Sequence, residues 1–174
     1  MPTVIVAPYS PNWPTQFHAT REELLSVLAP TVVNVEHIGS TSVPGLSAKP
    51  VIDVLLGARS LADIESKIKP LNKIGYLYVP KYERKLPMRR YFVRSSATSL
   101  RVHLHAVELN SRLWQEHLAF RDRLRADANL CAQYQALKLR LAEEFADDKA
   151  AYTGAKSPFI QAVLATAFDR RDVG

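Results

Sequence analysis

The hydrophobic pattern changes character along the chain. Up to about residue 110, short apolar runs alternate with turn residues, and beyond that point apolar positions recur at helical spacing. Phe17, Leu24, Leu25 and Leu28 fall near helical spacing behind the Pro-rich segment Tyr9–Trp13, and the helix they predict ends before Pro30. The β-branched run Val32–Val35 predicts a strand, and Val51–Leu56 a second one, buried on both faces except at Asp53. Between them His37–Pro50 is small and polar, with two Gly and two Pro, and reads as a loop or the start of a helix. Ser60 followed by Asp63 predicts a capped helix stopping at Pro70. Leu77–Val79, Arg90–Arg94 and Arg101–Val107 predict further strands, antiparallel and joined by basic loops. From Ser111 on, Leu113, His117, Phe120 and Leu124 form one helical stripe. A second helix covers about Ala132–Phe145, and Ser157–Pro158 starts a third. Strands followed by a helical tail predict an α/β (α+β) fold in one domain, 1–174, with a sheet-containing part over about 1–110 and a helical part over about 111–174.

Composition narrows the class. At 47% hydrophobic and 23% charged the chain has globular proportions, which excludes wholesale disorder. One cysteine, Cys131, excludes an intramolecular disulfide and a Cys-rich zinc site, and reads as an inert buried thiol. The start has neither a basic n-region nor an apolar h-region, and no apolar stretch approaches the ~20 residues of a membrane span, so a soluble cytoplasmic protein is expected. Charge is concentrated: Lys67–Arg101 carries ten Lys or Arg against Glu83, a balance of +9, leaving −3 for the rest of a chain totalling +6. Such a segment attracts phosphates of a nucleotide, a nucleic acid or a membrane surface, or is simply a solvated loop.

The segment His37–Asp53, HIGSTSVPGLSAKPVID, is the most distinctive. It is not a P-loop, since five residues separate Gly39 from Gly45 and Leu46 follows; the dinucleotide fingerprint is absent as well. What remains is a Gly-Ser pair after a strand and, thirteen positions beyond Ser40, an Asp in the next strand. Gly39 lets the backbone approach a phosphate, and Ser40, Thr41 and Ser42 offer hydroxyl donors. Lys49 supplies a cation, and Asp53 can hold a divalent metal.

With YSPNWPTQF at Tyr9–Phe17, RVHLHAVE at Arg101–Glu108, LWQEHLAFRDRLR at Leu113–Arg125 and AYTGAKSPFI at Ala151–Ile160, the chain resembles the GrpB family of the nucleotidyltransferase superfamily over nearly its whole length. The resemblance implies a nucleotidyltransferase-like short mixed sheet flanked by helices. It also implies a Gly-Ser pair on nucleotide phosphates, matched by Gly39 and Ser40, and a first metal carboxylate, matched by Asp53. Leu55 stands where the superfamily has its second carboxylate.

Strand alternation places His103 and His105 on one face of Arg101–Val107. Together with Asp53 they offer a His/His/Asp metal site, or instead pack and hydrogen-bond; His105 or His103 is also the candidate general base, beside Asp53 as the other catalytic group. Arg90 and Arg94 share parity and can clamp a triphosphate, or pair with acids elsewhere. Tyr76, Tyr78, Tyr82 and Tyr91, interleaved with cations, suit base stacking or a half-buried sheet. Trp114 reads as core, with Arg121 and Arg125 in salt bridges; Lys156 reads as capping, or faces the cleft. The expected function is binding of ATP, another nucleotide or a related phosphorylated small molecule, with Mg²⁺ or Mn²⁺. Transfer of a nucleoside monophosphate to an acceptor would follow if the chain is catalytic. The alternatives are a non-catalytic nucleotide- or coenzyme-binding accessory module, since family members occur fused to dephospho-coenzyme A kinase, and an RNA-binding protein; no membrane partner is expected.

Overall fold

The computed structural model describes residues 3–169. Helix α1 (Asn12–Leu28) leads into β1 (Val32–Ile38), a single 3₁₀ turn (Ser40–Ser42) and β2 (Val51–Ala58). Two short helices, α2 (Leu61–Glu65) and α3 (Ile68–Lys73), precede β3 (Leu77–Tyr78), β4 (Arg89–Arg94) and β5 (Arg101–Glu108). Four helices follow: α4 (Arg112–Ala126), α5 (Ala128–Glu144), α6 (Lys149–Ala155) and α7 (Ser157–Asp169). No helix among the described residues is long and apolar enough to cross a membrane.

The strands form one mixed sheet in the order β1-β2-β5-β4-β3, parallel only between β2 and β5. This register decides which side chains share a face. Asp53 lies opposite His103, Leu55 opposite His105, and His105 opposite Tyr91. One face carries Ile52, Val54, Leu56, Phe92, Val102, Leu104 and Ala106, which bury against α1 through Trp13, Phe17, Leu24 and Leu28 and against Ile64 and Leu71. The other face is divided. Ile38, Leu55 and Val107 pack under Trp114 of α4, while Asp53, His103, His105 and Tyr91 lie in its polar part. A third cluster joins the loop residues Val43 and Leu46 to Leu124 and Tyr134 of the helical part.

Element boundaries follow local chemistry. Ser60, Ser111 and Asp127 each accept a hydrogen bond from a backbone N–H in the first turn of the helix they open. Three expectations need correction. Pro70 does not stop the helix after Ser60; it sits in the first turn of the separate α3, where a missing N–H costs nothing. The second C-terminal helix starts at Ala128, four residues early, because Asp127 caps it. The three helices expected after Ser111 are four: α6, opened by Asp148, is only seven residues long, too short for a helical period to show in the sequence.

Candidate phosphate-binding cleft

Asp53 breaks the burial of a strand otherwise closed on both sides. His105 Nε2 lies 3.2 Å and His103 Nδ1 3.5 Å from the same oxygen, Asp53 Oδ1. Arg89 Nη1 lies 3.2 Å from His105 Nδ1. A guanidinium only donates, so Nδ1 of His105 accepts and its Nε2 carries the hydrogen toward Asp53. Burial opposes ionisation of Asp53, but the hydrogen bonds from both imidazoles outweigh it and hold the carboxyl below the usual carboxylate range. Arg89 also lies over the Tyr91 ring at 4.9 Å, and Tyr91 packs on both histidines. His117 of α4 completes this wall, 5.6 Å from the His105 ring; burial, then the field of His105, lowers its pKa to about 3.

The opposite lip is the turn after β1. Gly39 has φ +74° and ψ −178°, and a Cβ built there would stand 2.5 Å from Asp53 Oδ2. Only a residue without Cβ lets this turn cross so close above the carboxylate. The Ser40 side chain hydrogen-bonds Tyr134 of α5, whose ring is wedged between Phe120 and Phe159. Lys49 and Lys156 both feel the charge of Asp53, and Lys156 feels that of Lys49. Lys156 follows α6 with its Nζ over the Tyr152 ring at 4.4 Å, and burial lowers its pKa.

The predicted residues thus divide. Gly39, Asp53, His103 and His105 come together, with Ser40 next to Gly39 in the turn and Lys49 in the field of Asp53. Thr41 and Ser42 do not join them: both are buried, Thr41 donating to the Val51 carbonyl and contacting His37 Nε2, Ser42 donating to the Gly39 carbonyl. Their hydroxyls build the turn and do not face a ligand. Arg90 and Arg94 form no clamp, because they pair with Ala106 and Val102 across the ladder and so emerge on the α1 face. There Arg90 bridges to Glu65 at 2.7 Å and Arg94 to Glu23. Arg89, one residue out of that parity, is the arginine that reaches the cleft. Arg121 and Arg125 brace the turn from behind: Arg121 bonds Glu36 and the His37 carbonyl, and Arg125 donates twice to the Ser42 carbonyl. Tyr134 and His117 carry no local signal in the sequence beyond their helical spacing; tertiary packing alone brings them here.

One nitrogen of each imidazole faces Asp53 Oδ1, and because Nδ1 of His105 accepts from Arg89, its Nε2 carries a hydrogen and offers a divalent ion no lone pair. Leu55, where a second carboxylate would stand, is fully buried under Trp114. No group of three or more His, Cys, Asp or Glu among the described residues is placed to hold a metal ion. The triad predicted as metal ligands therefore meets as a hydrogen-bonded cluster. His105, with both nitrogens engaged, orients Asp53 and has no lone pair left for a general base.

Comparison with known proteins places this arrangement. The family model for GrpB protein matches residues 3–166. The chain belongs to the GrpB family. It is 32% identical over 164 residues to the glutamate-rich protein GrpB of Alkalihalophilus pseudofirmus, covering 92% of this chain and 94% of that protein. The crystal structure of the conserved protein GrpB from Enterococcus faecalis matches with a TM-score of 0.85 at 33% identity, over 96% of this chain and 99% of that one. A dephospho-CoA kinase of Mycolicibacterium paratuberculosis is 30% identical over 97% of this chain, which spans 47% of that protein. The Cid1 poly(U) polymerase matches in fold, with a TM-score of 0.59 at 14% identity over 86% of this chain and 49% of that one. The mixed sheet with flanking helices is therefore a nucleotidyltransferase-like fold.

Proposed function

We propose that this GrpB-family chain binds a nucleotide, with ATP as the first probe, or a related phosphorylated small molecule, in the cleft between the Gly39–Ser40 turn and Asp53. The observation that carries the reading is the Gly39 turn packed so closely on Asp53 that a Cβ there would stand 2.5 Å from Oδ2, with Arg89 beside His105 and with Lys49 and Lys156 in the field of Asp53. Cations around a backbone turn that comes this close are suited to phosphate oxygens. Binding without nucleotidyl transfer is the favoured form, since Leu55 leaves one carboxylate and His105 has no base to offer. An accessory role agrees with the relative of twice this length named as a dephospho-CoA kinase.

Thermal unfolding with and without ATP tests this. A ligand at ~100 times its dissociation constant adds about 2.7 kcal/mol, a rise of several degrees for a domain of this size. The rise is expected in wild type and diminished in Ser40→Ala and Gly39→Ala. No rise with any nucleotide, or one indifferent to both substitutions, overturns the reading.

RNA as the phosphate-bearing ligand is the second reading. Exposed Tyr82 packs edge-on to Tyr91, which in turn borders His103 and His105, so aromatic rings lead from the basic segment to the cleft. It predicts steep loss of oligoribonucleotide affinity with salt, and a flat salt response removes it.

A further inference from the structure

The helical part carries a groove of its own. It is an open cavity of about 580 Å³ between the Pro44–Gly45 corner of the loop after β1, Leu124 and Arg125 at the end of α4, and Ala128 and Ala132 of α5. A Cβ at Gly45 would meet nothing within 4 Å, so the loop leaves this side open. Along α5, Ala128, Ala132, Gln135, Leu139 and Glu143 recur every three or four residues and form one stripe. Leu139 is 42% exposed and does not line the groove. Among the described residues after β5 it is the only large apolar side chain left exposed. The molecule thus presents an apolar hole and, on the same stripe, an apolar knob that does not fill it.

The two ends of the stripe carry opposite charges. Glu143, near the C-terminus of α5, is exposed and makes no ion pair among the described residues. Arg125, beside the N-terminus of α5, is exposed as well and donates to the Ser42 carbonyl without a carboxylate partner. A stripe that is cationic at one end and anionic at the other is complementary to its own reverse. A nucleic acid or another anionic surface laid along it would meet the Glu143 carboxylate.

We propose that this face is a homodimer interface, in which a second copy lays its α5 antiparallel across the groove and each Leu139 enters the groove of the other copy. Setting Leu139 level with the partner's Ala128 sets Gln135 level with the partner's Ala132. Glu143 then lies one turn further on, past the N-terminus of the partner's α5, where Arg125 stands and the helix dipole favours a negative charge. The alanines let the two helices approach closely. A two-fold axis makes every contact twice and closes the assembly at two copies.

Sedimentation equilibrium of the intact chain tests this. Wild type is expected to follow a monomer–dimer equilibrium with no larger species. Leu139→Glu is expected to weaken dimerisation by about a hundredfold or more, and Glu143→Arg by about tenfold because two ion pairs are lost together. Combining Arg125→Glu with Glu143→Arg restores most of the second loss. Both Leu139→Glu and Glu143→Arg lie at exposed positions, so their urea midpoints are expected to match wild type at concentrations where all are monomeric. A wild-type chain that stays monomeric at every concentration overturns the inference, as does a dimer that both substitutions leave intact. A dimer broken by Leu139→Glu but indifferent to Glu143→Arg overturns the antiparallel arrangement.

Discussion

Gly39 answers two separate demands. Its φ of +74° with ψ near 180° belongs to a backbone region that side chains tolerate at a cost of roughly 1–3 kcal/mol. Its Cα also lies where any Cβ would strike Asp53 Oδ2. A double-mutant cycle separates the two. Gly39→Ala is expected to destabilise the chain toward urea by more than the backbone term alone. In an Asp53→Ala background the penalty should shrink to roughly that term. An equal penalty in both backgrounds would show that the carboxylate and the turn do not press on each other. His105 offers the complementary lesson. Its position was legible from strand parity, but its role was not, because that depends on Arg89 donating to Nδ1.

At the scale of elements, the cleft depends on how closely α4 approaches the sheet. Gly57 of β2 makes that approach available: a Cβ there would lie 2.8 Å from both the Trp114 ring and Leu109 Cδ1. Gly57→Ala is expected to cost about 1–3 kcal/mol by overpacking, read as a lower urea midpoint. A neutral result would mean α4 rides on β2 with slack. The strand β4 shows why parity within an element is insufficient. Arg90 and Arg94 do share a face, as their spacing requires, yet that face turns toward α1 because Arg90 pairs with Ala106 and Tyr91 with His105. One register step separates a structural ion pair from a cleft residue.

At the scale of the molecule, the helical part holds the cleft in shape by gripping the loop after β1. Arg125, Gln135 and Lys138 bond backbone groups of Ser42 and Ser47, and Tyr134 meets Ser40. On the sheet side of the loop, buried His37 stacks on Phe17 at 4.7 Å and contacts Thr41 at 3.0 Å. Burial, then Arg125, lowers its pKa from 6.5 to about 4. Between those values only the unfolded chain binds the proton, so stability is complete above about 6.5 and falls with acidification toward about 4, by roughly 3 kcal/mol in all. His117, lowered to about 3, acts with the same sign and extends the window downward. Asp53, also depressed, contributes stability above the usual carboxylate range that is lost only at lower pH. Urea midpoints between pH 7 and 4 should therefore decline steadily in wild type and more gently in His37→Gln. A slope unchanged by that substitution would show that His37 does not carry the window.

The linear order of residues determined the strands, the longer helices, the cap at Ser60 and the Gly39–Asp53 motif. Each of these rests on local chemistry: the alternation of apolar positions, a side-chain oxygen at a helix start, a glycine where the backbone turns sharply. What it did not determine was which groups from distant segments meet. Arg89 enters the cleft and Arg90 leaves it by sheet register, and Lys156 and Tyr134 arrive by helix packing across more than 80 residues of chain. The hydroxyls of Thr41 and Ser42 turn inward because the buried backbone of the loop needs partners. The convergence of two imidazoles on one carboxylate oxygen, with Arg89 fixing the tautomer of one of them, exists only once β2, β5 and β4 lie side by side. Those outcomes are set by distances in space, which residue identity and spacing alone do not contain.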